Sequence, residues 1–256
     1  MHNSSPVNPF YTPVNSPTLG FRQPVLSTPV YAKLPAAPRT ASPVPHLTSL
    51  YHFSRAGDYG NRNYPGNCGG NIIKDLLQFL QPSTVFDPMT GSGTCRDVCR
   101  ELAIPCVSTD LKNGFNATDP SAYEQFSETP RFDFIWAHPP YWRQKNYSDN
   151  PHDLSTAATL DEFLMPYGVF IRECSCLLSP RGKFAILMGD YSDREAGFVS
   201  LTYHTKQLAF QAGLEQTCTD IIRFSHGATS SRKTYRSSFI PGLHDVCMVF
   251  EKRRTY

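Results

Sequence analysis

Four side chains that could take part in chemistry fall where predicted strands end and loops begin: Asp87, Asp110, Asp119 and His138. The run 132–137 ends in His138-Pro139-Pro140-Tyr141, where two prolines fix two φ angles and remove two backbone donors. The carbonyls and side chains of such a loop are held in fixed directions. This suits the recognition of a flat ring that carries an amine.

A second chemically loaded segment is Asp87-Pro88-Met89-Thr90-Gly91-Ser92-Gly93-Thr94, here called the glycine loop, which follows a short apolar run. Its glycines let the backbone approach a ligand closely, and a helix predicted behind it adds the positive end of a dipole. A Gly-Ser-Gly turn alone is weak evidence, because many such turns only connect a strand to a helix. With Asp-Pro before it, directly after a strand, the pattern predicts a ligand-binding loop.

The elements that must position these residues alternate from about residue 58 onwards. Apolar spacing predicts helices at 71–80, 95–102, 160–177 and 201–212, and strands at 84–86, 105–109, 132–137, 183–188, 215–224 and 245–251. Alternating strands and helices indicate an α/β fold with a mostly parallel sheet, which binds ligands at the carboxyl ends of its strands. The last two strands lack an intervening helix and should form an antiparallel hairpin.

Composition divides the 256 residues into two parts. Residues 1–57 contain no Asp, Glu or Cys and hold ten of the 22 prolines, so they cannot bury enough apolar surface to offset their ordering entropy. We predict a disordered, proline-rich tail over 1–57 and one domain over 58–256. No run approaches the roughly 20 apolar residues of a membrane span. We therefore expect a soluble, cytoplasmic protein that does not contact a membrane.

The eight cysteines include no Cys-x-x-Cys pair, and most lie in apolar runs. Free cysteine in such a run behaves as a small hydrophobe. We therefore predict reduced thiols in the core and no metal site. The net charge of +2 is too small to indicate a nucleic-acid partner, so only the local distribution of charge is informative.

Together, the glycine loop and His-Pro-Pro-Tyr resemble the S-adenosylmethionine-dependent DNA amino-methyltransferases, which methylate adenine N6 or cytosine N4. The family's loop reads (Asp/Asn/Ser)-Pro-Pro-Tyr, so His138 is a departure. The resemblance covers about residues 59–252 and implies a Rossmann-like, doubly wound, mostly parallel seven-stranded sheet with an antiparallel C-terminal hairpin strand. It implies S-adenosyl-L-methionine as cofactor and DNA as partner, and it modestly favours adenine.

The resemblance assigns the cofactor-binding residues. In the glycine loop they are Asp87, Pro88, Gly91, Ser92, Gly93 and Thr94. Asp110 looks like the carboxylate that accepts hydrogen bonds from the two ribose hydroxyls, and Asp119 resembles the acid that holds the adenine amino group. For both acids the alternative is a helix cap or a surface position. Asn67 loosely matches the region that lines the methionine end.

The resemblance also places catalysis on His138, Pro139, Pro140 and Tyr141. In the family, the first side chain and the first proline's carbonyl each accept one hydrogen of the target amine. The aromatic ring stacks on a base that has been flipped out of the duplex, and Trp142 could extend that surface. A neutral imidazole has one acceptor nitrogen, so His138 can replace the usual oxygen only when it is unprotonated. Activity should therefore fall at acidic pH.

Two basic segments are candidates for nucleic-acid contact. Arg143 and Lys145 follow the catalytic loop, and a long loop over 225–244 contains Arg232, Lys233 and Arg236. Such side chains neutralise phosphates, and this makes binding salt-dependent; the alternative is a solvated loop. The chain leaves no room for a separate target-recognition domain. A short target sequence is therefore expected, and a homodimer would suit its recognition.

Three functions remain open at this point. The first is a DNA methyltransferase, the second an RNA base amino-methyltransferase, and the third a catalytically silent nucleic-acid-binding relative. The sequence contains no recognisable RNA-binding module, which favours DNA. The intact glycine loop argues against the silent relative, because a protein without activity has no need of a cofactor site.

Overall fold

The computed structural model of the protein describes residues 42–53, 55, 57–224, 240 and 242–253. Its helices are α1 (Asn71–Leu80), α2 (Thr94–Glu101), α3 (Leu160–Leu177) and α4 (Leu201–Gln211). Its strands are β1 (Leu50–His52), β2 (Val85–Asp87), β3 (Cys106–Ser108), β4 (Phe132–Ala137), β5 (Leu178–Met188), β6 (Tyr191–Asp193), β7 (Gly197–Val199), β8 (Leu214–Gln216), β9 (Ile221–Phe224) and β10 (His244–Lys252).

Within these residues, eight strands form one sheet in the order β1-β9-β10-β5-β4-β2-β3, and β8 also pairs with β10. Neighbouring strands from β5 to β3 are parallel, whereas β10 is antiparallel to β5, β8 and β9. The predicted fold class is confirmed, including the antiparallel pairing of the last two strands. The strand predicted over 215–224 is divided into β8 and β9.

Alternate residues of the central strands build two cores, one on each face of the sheet. Ile135 and Ala137 of β4 join the core that contains α3 and α4 residues, while Phe134 and Trp136 join the one that contains α1 and α2 residues. Side chains of successive strand residues point to opposite faces. The sheet is therefore covered on both sides, and its ligand-accessible region is the edge where the parallel strands end.

Part of the segment that was predicted to be a disordered tail is folded. The prediction of disorder is therefore wrong for the last residues of that segment. Strand β1 pairs in parallel with β9, Leu50 opposite Ile222. The Tyr51 side chain is buried and donates a hydrogen bond to Asp75, 2.5 Å away. The average composition of 57 residues does not reveal a strand of three residues, because that strand is stabilised by its pairing in the sheet. Residues 1–41 lie outside the described part.

Helix boundaries follow the apolar periodicity closely. Helices α1 and α3 occupy 71–80 and 160–177, as the spacing predicts. Thr159 caps α3 by accepting a hydrogen bond from the backbone of Glu162 at 3.2 Å, the usual way to satisfy a free N–H at a helix start. Among the described residues, each helix is too short or too polar to cross a membrane.

Candidate active site

The carboxyl ends of β4, β2 and β3 lie side by side because these strands are parallel and adjacent. A cavity of about 290 Å³ opens at this edge, and residues from five chain segments line it, among them Asp87, Gly91, Asp110 and His138. The predicted glycine loop and the His-Pro-Pro-Tyr loop therefore meet at one site. Ligand cavities of this kind occur where strand order reverses in open α/β sheets.

The glycine loop is shaped by two residues in left-handed backbone conformations. Gly91 has φ 48° and Gly93 has φ 82°, values that side-chain-bearing residues rarely adopt. A Cβ on Gly91 would lie 3.1 Å from the Tyr64 ring. Helix α2 begins at Thr94 directly behind the loop, so its free N–H groups and dipole point towards the cavity. The loop can therefore bring its backbone close to a ligand.

Asp110, the second of the predicted acids, is hydrogen-bonded to the glycine loop. Its Oδ2 accepts a hydrogen bond from the Gly91 amide at 2.7 Å, and its Oδ1 accepts one from the Lys112 amide at 3.1 Å. The Lys112 ammonium in turn donates to the Gly91 carbonyl. Asp110 is thus both the cap that was considered as an alternative and a carboxylate that lines the cavity. Each carboxylate oxygen has further lone-pair capacity for a ligand hydroxyl.

Asp87 is almost completely buried at the end of β2. Burial, and then the nearby Cys106, raise the pKa of this carboxyl well above its usual range, although a hydrogen bond from the Met89 amide works in the opposite direction. A carboxyl that is buried in this way favours its neutral form. Asp87 therefore stabilises the glycine loop mainly by hydrogen bonding and less by its negative charge.

Stability should depend on pH through Asp87. Its folded-state pKa lies above the unfolded value, so its contribution to stability is complete below about pH 4 and is lost as pH rises through the folded pKa. We expect the Tm of the wild type to fall relative to that of Asp87→Asn between pH 4 and 8, measured by calorimetry without ligand. The exposed Asp119→Asn should show no such gain. A constant Tm difference for Asp87→Asn would contradict the assignment.

Hydrogen bonds and close packing hold the His-Pro-Pro-Tyr loop in place. Pro139 is buried, while His138 and Tyr141 are half-buried. The Nε2 atom of His138 lies 2.9 Å from the Tyr141 hydroxyl, which donates to Asp245 at 3.3 Å. A Cβ on Gly189 would lie 2.6 Å from the Tyr141 ring, so the ring packs on bare backbone. The loop therefore presents His138 to the cavity in a defined orientation.

The structure contradicts the predicted role of Trp142. Trp142 is only 3% exposed, and its indole donates to the Ala157 carbonyl. It is thus a core residue and is not placed to contact a nucleic acid. Arg143 packs over the Trp142 ring at 4.5 Å and pairs with Asp193 and Glu195 at 3.1 and 3.2 Å. Its side chain is partly exposed, so its contact with a nucleic acid stays a prediction.

Trp142 also has φ 48°, an unfavourable conformation for a large side chain. Such strain costs about 1–3 kcal/mol and persists only where surrounding contacts enforce it. The buried indole and its hydrogen bond provide those contacts. The sharp turn after Tyr141 is therefore a fixed feature of the structure that follows the His-Pro-Pro-Tyr loop.

Two further predicted cofactor residues lie outside the cavity. Asp119 is exposed and caps a short 3₁₀ helix by accepting from the Ser121 amide at 2.9 Å, which is the alternative considered for it. Asn67 uses its side chain to hold its own loop, donating to the Tyr59 and Asn61 carbonyls. Of the predicted basic contacts, Lys145 is exposed, while Arg232, Lys233 and Arg236 lie outside the described residues.

Sequence reasoning missed two aromatic residues at the cavity. The rings of Tyr64 and Tyr147 stack with their centroids 5.9 Å apart, and both residues line the cavity. Burial, and then the charge of Asp110, raise the pKa of Tyr64 to about 12. The two loops are 83 positions apart, so local patterns carry no signal for this contact. Aromatic faces here can cover a flat ligand.

No protein-family model matches this chain, and no curated protein matches it in sequence. Among solved structures, TrmN from Thermus thermophilus shows 18% identity and a TM-score of 0.35, over 69% of this chain and 47% of TrmN. A second Thermus thermophilus protein, assigned without proof as a DNA modification methylase, was solved with S-adenosyl-L-methionine. It shows 19% identity and a TM-score of 0.39, over 55% of this chain and 54% of that protein.

A third similar structure is the 1,6-didemethyltoxoflavin-N1-methyltransferase of Burkholderia thailandensis, bound to S-adenosylhomocysteine. It shows 14% identity and a TM-score of 0.41, over 74% of this chain and 80% of that enzyme. The matched region spans about half the length of the two Thermus proteins. Likeness at this level carries no argument about the site, whose interpretation depends on its own geometry.

Proposed function

We propose that this protein is an S-adenosyl-L-methionine-dependent methyltransferase that modifies the exocyclic amine of a DNA base, with adenine N6 favoured. One observation carries the proposal: the glycine loop, Asp110, and His138 and Pro140 of the His-Pro-Pro-Tyr loop line a single cavity at the carboxyl edge of the sheet. A cofactor loop and a rigid amine-recognition loop are the two parts that such a reaction requires. Their convergence supports a function that neither motif supports alone.

The residues of the cofactor side fit S-adenosyl-L-methionine. The positive φ angles of Gly91 and Gly93 allow the ligand to approach the backbone, and Asp110 can accept hydrogen bonds from ribose hydroxyls. The cavity of about 290 Å³ is at the lower end of the usual range for small-molecule sites. When bound, the cofactor supplies an electrophilic methyl group.

On the substrate side, His138 and the Pro139 carbonyl are the acceptors for the two hydrogens of the target amine. A neutral imidazole has one acceptor nitrogen, and this nitrogen can also take the proton that the amine releases. Tyr141 is only partly buried, so some of its side chain remains available to contact a base. Stacking of this kind is worth about 1–3 kcal/mol per base.

The proposed substrate class is DNA. It is supported by the likeness of His-Pro-Pro-Tyr to the loops of base amino-methyltransferases and by the cations of 225–239 in the sequence. Arg143 forms ion pairs with Asp193 and Glu195, and its contact with a nucleic acid stays a prediction.

The test is methyl transfer from radiolabelled S-adenosyl-L-methionine to mixed-sequence DNA or RNA, with the wild type and Asp110→Asn compared. At a cofactor concentration near the wild-type Kd, we expect label in DNA with the wild type and far less with Asp110→Asn. Label in RNA alone would replace DNA as the substrate. Absence of label in both, with cofactor binding retained in calorimetry, would favour the silent relative.

A further inference from the structure

A buried ion pair lies behind the catalytic loop. Arg223 of β9 and Asp245 of β10 are opposite each other in the sheet, and their side chains form two hydrogen bonds of 2.7 and 2.6 Å. The side chains are only 5% and 8% exposed, and Arg223 also donates to the Cys68 carbonyl at 2.9 Å. The two parallel bonds hold Asp245 as a carboxylate at a fixed place and angle.

This carboxylate is connected to His138 through one hydroxyl group. Tyr141 donates to Asp245 at 3.3 Å, and its oxygen lies 2.9 Å from Nε2 of His138. Burial, and then the charge of Asp245, raise the pKa of Tyr141 well above its usual value, so the phenol keeps its proton. Four side chains therefore form one chain of contacts from the sheet interior to the cavity.

The order of donors along this chain follows from counting protons. A phenol has one proton, and a carboxylate can only accept. When Tyr141 gives its proton to Asp245, the Tyr141 oxygen can only accept from His138. Nε2 of His138 must then carry a hydrogen, and in a neutral imidazole the lone pair is on Nδ1.

We infer that Arg223 and Asp245 are positioning residues that fix His138 in the tautomer with hydrogen on Nε2 and the lone pair on Nδ1. The inference rests on the proposed function and extends it to specificity. A fixed acceptor favours substrates that bring an N–H donor, such as an exocyclic base amine. It disfavours a group that can only accept, such as a carbonyl oxygen, because two acceptors would then face each other.

The most informative variant is Asp245→Asn. An asparagine amide can donate to the Tyr141 oxygen, so Tyr141 would give its proton to Nε2 and the hydrogen of His138 would move to Nδ1. A wrong tautomer of a catalytic histidine costs about two to four orders of magnitude in kcat. We expect such a loss, with KM for nucleic acid and Kd for S-adenosyl-L-methionine changed by less than about threefold.

Two further variants separate positioning from folding. Tyr141→Phe keeps the ring and the ion pair and removes only the connecting hydroxyl. The variant should therefore fold, but His138 should no longer be held in one tautomer. Asp220→Asn removes the partner of Lys206 in another ion pair close to β9, at 2.7 Å, and should leave kcat unchanged. The direct readout is nitrogen-15 NMR of the histidine ring in the full chain, with the His138 signals identified by their loss in His138→Asn.

We expect the hydrogen on Nε2 in the wild type and a shift towards Nδ1, or a mixture, in Asp245→Asn and Tyr141→Phe. Hydrogen on Nδ1 in the wild type, or no change in Tyr141→Phe, would overturn the inference even if the protein methylates DNA. A wild type with the expected tautomer and no methylation of any nucleic acid would instead refute the proposed function. The two failures are therefore distinguishable.

A second, independent observation concerns three cysteines of the other core. Cys95 and Cys99 lie one turn apart on α2, and Cys106 lies on the adjacent β3. Their sulfur atoms are all within 4.8 Å of one another, with Cys95 and Cys99 buried and Cys106 partly exposed. The sequence prediction of no metal site considered only spacing along the chain, whereas the fold brings these thiols together.

The geometry points to a trithiolate site for a thiophilic ion such as Zn²⁺, formed as the three thiols release their protons. Zinc–sulfur bonds of about 2.3 Å require sulfur atoms roughly 3.8 Å apart, a separation that small side-chain movements could reach. The partly exposed Cys106 gives the ion a route to the buried pair. Because α2 begins at the glycine loop, a bound ion would also hold that loop.

The test is a titration of the reduced, full-length protein with Cd²⁺, followed by its thiolate charge-transfer absorption, and with Zn²⁺, followed by elemental analysis. We expect one ion per chain and three thiols protected from a thiol reagent. Cys99→Ser should lose the ion, whereas Cys218→Ser, which changes an exposed cysteine outside the cluster, should keep it. No stoichiometric binding, or binding with no thiols protected, would overturn the site.

Discussion

Replacing His138 with alanine should lower kcat by about two to four orders of magnitude while the affinity for S-adenosyl-L-methionine stays unchanged. The side chain lines the cavity and is oriented through Tyr141, so its loss removes the acceptor for one amine hydrogen. The residue lies at the end of β4, and the glycine loop does not depend on it. The measurements are single-turnover kinetics and calorimetry on the same preparation.

His138→Asn is the matched variant. An asparagine oxygen can accept the same hydrogen and is one of the usual residues at this position, so we expect activity within about tenfold of the wild type. Equal losses in the alanine and asparagine variants would mean that His138 only supports the loop. Full activity in His138→Ala would remove His138 from the reaction.

Replacing Asp110 with asparagine should weaken S-adenosyl-L-methionine binding by about 100-fold. Hydrogen bonds to a charged group contribute about 1.5–3 kcal/mol each, and the change removes the charge and one of the two acceptor oxygens. Asparagine still has an oxygen that can accept from the Gly91 amide, so the loop should remain folded. Calorimetry gives the Kd, and the Tm without ligand checks the fold.

Asp119→Ala is the control for Asp110→Asn. The sequence resemblance places both acids at the cofactor, whereas the structure leaves Asp119 exposed and bonded to Ser121. We expect its Kd to equal that of the wild type. If Asp119→Ala weakened cofactor binding as much as Asp110→Asn did, the assignment of cofactor binding to Asp110 and not to Asp119 would be wrong.

Much of the fold could be predicted from local patterns. Helices α1 and α3 follow from apolar spacing because each buries one face against the sheet. Strand β4 follows from its apolar run before two prolines. The strand predicted over 215–224 is interrupted, because residues 217–220 between β8 and β9 do not have strand structure. Strand β1 could not be predicted, because its stability comes from pairing with a strand about 170 positions away.

The site could be predicted only where its residues follow strands directly. Asp87, Asp110 and His138 lie at parallel strand ends, and the fold brings them to one edge. Trp142 was misplaced because a position next to the His-Pro-Pro-Tyr loop in the chain does not reveal which way a side chain points after a turn at φ 48°. The contact of Tyr141 with Asp245 spans 104 positions and depends on the pairing of β9 with β10. Only the folded sheet reveals it.

Methyl transfer to an exocyclic base amine is tested most directly by identifying the modified atom. DNA treated with the wild type and methyl-deuterated S-adenosyl-L-methionine is digested to nucleosides, and each is analysed by mass spectrometry against standards. We expect deuterated N6-methyldeoxyadenosine with the wild type and at least about a hundredfold less with His138→Ala. Label on a ring nitrogen or a carbon atom, or unchanged label with His138→Ala, would contradict the proposed reaction.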